Sequence, residues 1–257
     1  MRLAVLSDIH SNLHALETAL ADLQAAGGAD TLWLLGDYAA MGARPRDCIQ
    51  RMMALAEEWG EGKIGFVRGN TDRYLVNGHR TKSAPAENAD AFPQFTAGAR
   101  RASDMILWGL EQLTYAEYEW LTNLRGELDM NAPGYGWVIG YHGTPGDDEA
   151  YLFPTTPMTT ADDMLLDREG RLGIGGHIHE QMDRPLTRWR VVNVGSVGMS
   201  FGKPGYAEYG IFTFEGGDVQ VDLRAIPYDV EAAVADLYAV GFPHPDAAAR
   251  RLREGNV

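Results

Sequence analysis

The chain has 257 residues, 45% of them apolar, which suits one large or two small domains and suffices for a sizeable core. Lys and Arg number 22 against 36 Asp and Glu, and the resulting formal charge of −14 offers no global attraction for nucleic acid or an anionic membrane. Cys48 is the sole cysteine, which excludes an internal disulfide and a thiolate-based structural zinc site. The opening MRLAVLSD has too short an apolar run for a signal peptide, and no stretch approaches the ~20 apolar residues that span a bilayer. A soluble, cytoplasmic protein is expected.

In chain order, residues 3–6 predict a short buried strand ending at Ser7-Asp8. Leu13, Leu16, Leu20 and Leu23 follow at helical spacing until Gly27-Gly28. Residues 31–35 predict a second strand. Pro45 opens a helix with Ile49, Met52, Ala56 and Trp59 on one face, and residues 64–67 predict a third strand. This β-α-β-α-β start implies parallel strands with crossover helices. Residues 73–95 are polar and aperiodic, with Gly78, Pro85 and Pro93, and predict a surface excursion. A helix is expected over 99–110. Thr114-x-x-Glu117 is a capping box flanked by Leu113 and Tyr118, predicting a helix to about 124. Strand character returns at 137–141, 172–176, 189–194, 209–214 and 219–226. Asp229 caps a last helix that Gly241 and Pro243 end. The second half therefore predicts a mostly antiparallel sheet covered by helices.

Polar clusters fall at five strand ends: Asp8-Ile9-His10, Gly36-Asp37, Gly69-Asn70-Thr71-Asp72, Tyr141-His142-Gly143 and Gly176-His177-Ile178-His179. Ligand sites in α/β sheets lie outside the carboxyl ends of strands. In extended backbone, residues i and i+2 share a side, so Asp8 with His10, and His177 with His179, can each present two donors to one place. Imidazole, carboxylate and amide donors without thiolate suit Mn²⁺, Fe, Zn²⁺, Co²⁺ or Ni²⁺. Asp8, His10, Asp37, Asn70, His142, His177 and His179 are too many for one ion and suit two bridged by a carboxylate.

These motifs, in this order, resemble the five-motif pattern of the calcineurin-like metallophosphoesterases, and Asn193-Val194-Gly195-Ser196-Val197-Gly198 is similar to the Asn-x-Gly-Ser segment of their small bacterial and archaeal phosphodiesterase branch. The resemblance spans residues 8–198 and implies a four-layer α/β/β/α sandwich of two mixed sheets. It further implies two divalent metals, Mn²⁺ foremost, with Asp8, His10 and His179 on one, Asn70, His142 and His177 on the other, and Asp37 bridging. The expected reaction is hydrolysis of a phosphodiester or phosphomonoester by a hydroxide held between the ions, with Asp37 and Asn70 as catalytic ligands. The alternatives are a dinucleoside-polyphosphate or nucleotide hydrolase, and a non-catalytic interaction module on the same fold.

Many relatives carry a histidine after the motif asparagine, where this chain has Thr71, a poor general acid at neutral pH. Substrates with good leaving groups, or a substitute acid in His14 or His79, would accommodate that departure. Asn12 and Arg73 are candidate substrate-binding residues; Arg68, Arg80 and Lys82 complete a basic group beside the third motif. Asn12 also suits an N-cap, and Arg73 ordinary surface charge. The whole chain, 1–257, is expected to be one domain, with a lid-like insertion at about 73–125. The expected partner is a small phosphorylated substrate; no feature suggests nucleic acid or membrane, and an oligomer stays open. Gly60-x-Gly62-x-x-Gly65 follows a helix and precedes a strand, the reverse of a dinucleotide site. Gly195-Ser196 predicts a tight loop supporting the metal edge, since Val194 breaks the serine-hydrolase pattern.

Overall fold

The computed structural model describes residues 1–79 and 84–255, so Arg80 and Lys82 lie outside the described residues. The elements in order are β1 (Arg2–Leu6), α1 (Leu13–Ala25), β2 (Thr31–Leu34), α2 (Pro45–Trp59), β3 (Ile64–Phe66), α3 (Asn70–Asn77), α4 (Phe92–Glu111), α5 (Tyr115–Thr122), β4 (Glu127–Ala132), β5 (Gly136–Tyr141), α6 (Met158–Asp163), β6 (Leu172–Gly175), β7 (Gln181–Pro185), β8 (Arg190–Val194), β9 (Tyr206–Glu215), β10 (Asp218–Pro227), α7 (Val230–Ala239) and α8 (Pro245–Glu254).

Two five-stranded mixed sheets stack face to face, in the orders β10-β9-β1-β2-β3 and β4-β5-β6-β8-β7. Period-2 alternation builds the layers. In β1, Leu3 and Val5 enter the core between the sheets, where they meet Val138, Leu172, Ile174 and Val192; Ala4 and Leu6 turn to the helical side. Trp33 and Leu35 against Leu32 and Leu34 repeat the pattern next door. The helical layer over the first sheet comes chiefly from Leu16, Ala19 and Leu23 of α1 and Ile49, Met52 and Leu55 of α2. Burial of such aliphatic side chains contributes about 1.5–3 kcal/mol each.

On the outer face of the second sheet, Tyr141, Trp189 and Val191 pack under Ala161 and Leu165. That layer is thinner than expected: one six-residue helix, α6, with flanking loops. The strand order also corrects the antiparallel expectation, because β5, β6 and β8 run parallel. Three continuous apolar strands buried on both faces are what a parallel core demands. Strands β4 and β7, and helix α8, were not foreseen. The excursion expected from Arg73 begins later, since α3 runs to Asn77, and α4 starts at Phe92 with Pro93 in its first turn, where a missing N–H is harmless. Among the described residues no helix is long and apolar enough to cross a membrane.

Candidate metal centre

The parallel strands of both sheets deliver their carboxyl ends to one place. There the loop after β1 zips onto the loop after β2, through Asp8 N–H to Gly36 O at 3.0 Å and His10 N–H to Asp37 O at 2.8 Å. Gly176 N–H reaches His142 O at 2.9 Å, and Gly198 N–H reaches Asp8 O at 2.9 Å, tying the second sheet to the first. Asp8, His10, Asp37, His177 and His179 all hold left-handed backbone, with φ between 47° and 70°. Each such non-glycine conformation costs about 1–3 kcal/mol, a strain that clusters at sites where side-chain aim matters more than stability. Two glycines make the close approach: a Cβ at Gly69 would collide with Asp37 Oδ1, and one at Gly176 with Ser7 Oγ and Asp8 Oδ2.

Six of the seven expected donors meet directly. His179 Nε2 lies 3.1 Å and His10 Nε2 3.7 Å from Asp8 Oδ1, and the two Nε2 atoms are 3.1 Å apart. Asp37 Oδ2 lies 3.6 Å from His10 Nε2 and 3.5 Å from His142 Nε2, and His142 Nε2 is 3.0 Å from Asn70 Oδ1. His177 joins through its ring, 5.0 Å from that of His142, and its buried Nε2 has no hydrogen-bond partner among the described residues. The cluster resolves into two overlapping groups, Asp8–His10–His179 and Asp8–Asp37–His142.

The outer atoms of these side chains are fixed by the backbone. His10, His142 and His179 donate from Nδ1 to the carbonyls of Ala40 (3.2 Å), Leu35 (2.7 Å) and Met199 (2.7 Å). A carbonyl only accepts, so each ring carries a hydrogen on Nδ1 and turns Nε2 inward. Asp8 Oδ2 takes the His177 N–H at 2.8 Å and Asp37 Oδ1 takes the Thr71 N–H at 2.9 Å, which leaves Asp8 Oδ1 without a hydrogen bond. The Nε2 atoms of His10 and His179, 3.1 Å apart, can be accommodated by a hydrogen shared between them or by a cation held between them and Asp8. Burial opposes ionisation of Asp8 and Asp37, yet the facing histidines outweigh it and hold both carboxyls below the usual range. Burial likewise disfavours a charged His142, but Asp37 and Asp8 draw a proton onto it and raise its pKa to about 10. Burial and that same His142 push His177 down to about 4. Orphaned acceptors, latched tautomers and an oxygen–nitrogen donor set fit divalent cations of borderline hardness.

The remaining candidates lie elsewhere. Asn12 caps α1 through Ala15 N–H and donates to Gly198 O at 2.9 Å. His14 turns toward α7 and pairs with Asp236 at 3.1 Å, outside the metal cleft. Arg73 lines a pocket with His142, where it is held in a two-pronged pair with Asp148 at 2.8 Å for each contact, and His79 accepts from the same guanidinium at 2.8 Å. In this structure the expected substrate-binding Arg73 and the expected acid His14 are each engaged by a carboxylate. Both are held by carboxylates that the sequence separates from them by 75 and 222 positions. Thr71 does line the cleft, and its buried hydroxyl has no partner among the described residues. Arg68 lies in a neighbouring pocket with Arg73 and Glu127.

Asp72 was overlooked. Fully buried, its carboxylate accepts the N–H groups of Asp37 (2.7 Å), Tyr38 (2.9 Å) and Gly69 (3.0 Å), and so sets the turn that presents Asp37. Burial and the nearby Asp37 charge raise its pKa to about 7. Its position three residues after Gly69 was the available signal. Ser196 Oγ donates to Asp8 O at 2.8 Å, and Asn193 Nδ2 donates to Gly176 O, so the end of β8 and the loop after it brace two turns of the cage.

Above the donors opens a cleft of about 610 Å³, with Tyr74, Ala84, Tyr151, Met199, Phe201 and Arg251 among its walls. Phe201 stacks on His179 at 4.5 Å and Tyr151 on His177 at 4.6 Å.

The model of the calcineurin-like phosphoesterase superfamily domain matches residues 1–217. An uncharacterized protein of Methanocaldococcus jannaschii is 29% identical over 248 residues, covering 90% of this chain and 89% of its own. Among solved structures, a metallophosphoesterase from Sphaerobacter thermophilus is 24% identical with a TM-score of 0.74, over 100% of this chain and 99% of its own. A hypothetical protein from Pyrococcus horikoshii reaches a TM-score of 0.80 at 19% identity, over 99% of this chain and 98% of its own. With the match running through all five strand-end motifs, the chain belongs to the calcineurin-like phosphoesterase superfamily.

Proposed function

We propose that this chain is a metal-dependent phosphoesterase acting on a phosphodiester or phosphomonoester. In this reading Asp8, His10 and His179 hold one divalent cation, Asn70, His142 and His177 a second, and Asp37 lies between them. The observation that carries it is the convergence of the His10 and His179 Nε2 atoms, 3.1 Å apart, beside an Asp8 oxygen that has no hydrogen bond among the described residues. Such cations, with Mn²⁺ the first candidate, supply Lewis acidity and water activated near neutral pH. The chain's own part is positional. Asp37 Oδ1 is held by Thr71 N–H, so Oδ2 is aimed midway between His10 and His142. With Thr71 where relatives carry a histidine, no imidazole stands there to protonate the departing oxygen, which favours substrates whose leaving groups are stable anions. Tyr74 and Ala84 on the cleft wall support a partial lid at about 73–125, within a chain that acts as one unit over 1–257.

The test is hydrolysis of bis-p-nitrophenyl phosphate by protein stripped with chelator and reloaded with Mn²⁺, Ni²⁺, Co²⁺ or Zn²⁺. Turnover restored by at least one of these metals, and lost in Asp37→Asn, is expected. Silence with all four sinks the reading.

A further inference from the structure

Asn70 is the sole amide among the seven expected donors, and an amide has a wrong end. Turned half a revolution about its last bond, it would aim an NH₂ into the cage, and an NH₂ has no lone pair to give a cation. The oxygen is the end that faces inward: Asn70 Oδ1 lies 3.0 Å from His142 Nε2.

The reason lies one helical turn further on. Tyr74 follows Asn70 by four positions in α3, so the two side chains share a face of the helix, and both are buried. The Tyr74 hydroxyl donates its hydrogen to Glu149 Oε1, while its oxygen receives the Asn70 side chain. A phenol has a single hydrogen. Given to a carboxylate, that hydrogen leaves the phenol oxygen as an acceptor, and the end of Asn70 that can donate to it is the NH₂. The other end, Oδ1, is thereby turned toward the cage.

Arg73 holds both partners in place. Its Nη2 lies 3.4 Å from Glu149 Oε1, and a guanidinium so close favours the ionised, purely accepting form of that carboxyl. The same guanidinium lies over the Tyr74 ring, 5.1 Å from its centroid, and is itself anchored on Asp148. Hydrogen bonding therefore runs in one direction, from Asn70 through Tyr74 to Glu149. Tyr74 lines the cleft, but with its hydrogen engaged by Glu149 it does not stand in for the acid missing at Thr71.

We propose that Tyr74 is a positioning residue: together with Glu149 it sets the direction of the Asn70 amide, so that Oδ1 rather than Nδ2 meets the second cation. This deepens the phosphoesterase reading and rests on it for the place of that cation. Loss of such an outer hydrogen-bond partner typically weakens a metal site about 10–100-fold.

The test is calorimetric titration of Mn²⁺ into metal-stripped wild type and variants, with the two binding steps fitted separately. Tyr74→Phe keeps the ring and removes the hydroxyl. One step is expected to weaken at least about tenfold, and the other to shift less than twofold. A carboxylate presents oxygen at both ends, so in an Asn70→Asp background the same Tyr74→Phe change is expected to shift neither step more than twofold. A merely structural role for the hydroxyl would cost the same in both backgrounds. Tyr118→Phe removes a hydroxyl that α3 receives at the Val76 carbonyl, away from Asn70, and is expected to alter neither step. Unchanged affinity for both ions in Tyr74→Phe overturns the proposal. So does an equal loss in the Asn70→Asp background, or an equal loss in Tyr118→Phe. Bis-p-nitrophenyl phosphate turnover by the reloaded wild type reports separately on the phosphoesterase reading, so turnover alongside unchanged Mn²⁺ binding in Tyr74→Phe overturns this inference alone.

Discussion

At the strand-end cage, Asp8, His10, Asp37, Asn70, His142 and His179 are all buried, and the three inward-aimed histidines among them are each latched by a backbone carbonyl. Helix α4 is built in the opposite way: of its twenty residues only Met105 and Gly109 are buried, while Phe92 is 56% and Leu107 55% exposed. One region uses backbone strain to fix side-chain direction, and the other packs one face through Met105, Ile106, Trp108 and Leu110 and leaves apolar surface in water on the other. Fixed donors beside a half-exposed flank are an arrangement that suits a site open to a substrate.

Replacing Asp37 with Ala strikes the rigid side hardest. The loss of a ligand facing both histidine pairs is expected to cut kcat at least ~10³-fold in a metal-reconstituted assay, a few kcal/mol of barrier. A variant within tenfold of wild type would show that the cage is not the working part. Asp72→Ala leaves three buried N–H groups without their acceptor. About 3 kcal/mol of stability should be lost in urea unfolding, with metal affinity down ~10–100-fold. Loss of stability alone, with affinity intact, would separate Asp72 from the aim of Asp37.

Mn²⁺ at a hundred times its dissociation constant should add about 2.7 kcal/mol, a rise of roughly 5–10 °C in Tm. The rise should vanish in His142→Ala if the histidine cluster is the site. Acid probes the flank. Glu117 is buried, which opposes its ionisation, but Thr114, Gln50 and Arg46 prevail and depress its pKa from 4.5 to about 2. A depressed folded-state pKa contributes stability that is full above about pH 4.5 and fades as pH falls toward 2. Glu117→Gln should flatten the unfolding free energy in that window and leave neutral-pH turnover alone. Smallest of all, Leu107→Ser on the exposed face of α4 should shift stability by less than about 0.5 kcal/mol. A larger loss would mean that α4 is packed against something further.

The same contrast explains what could be read in advance. The cage donors sit in tripeptides at the ends of apolar strands, so their signal is local, and Thr114 to Glu117 announces its helix within four residues. Asp72 stayed hidden because two of the N–H groups it accepts belong to residues 34 and 35 positions earlier. The ion pairs of His14 and Arg73 were hidden for the same reason, their carboxylates being supplied by remote elements. The parallel run of β5, β6 and β8 was missed although their near-continuous apolar letters carry its signal, because the pairing joins strands that are far apart along the chain. Strand β7, with Pro185 at its end, lies at a sheet edge, where sequence patterns are weakest.

The carbonyl latches bear on any attempt to retune the cage for a softer ion. A cysteine in place of His179 would bring a thiolate inward, but nothing on its short side chain could reach the Met199 oxygen that the imidazole now engages at 2.7 Å. That oxygen would lose its donor and the left-handed backbone at 179 its reason for being tolerated. The choice of imidazole at position 179 is therefore tied to main-chain architecture, and a redesign would have to begin with the loop that carries Met199.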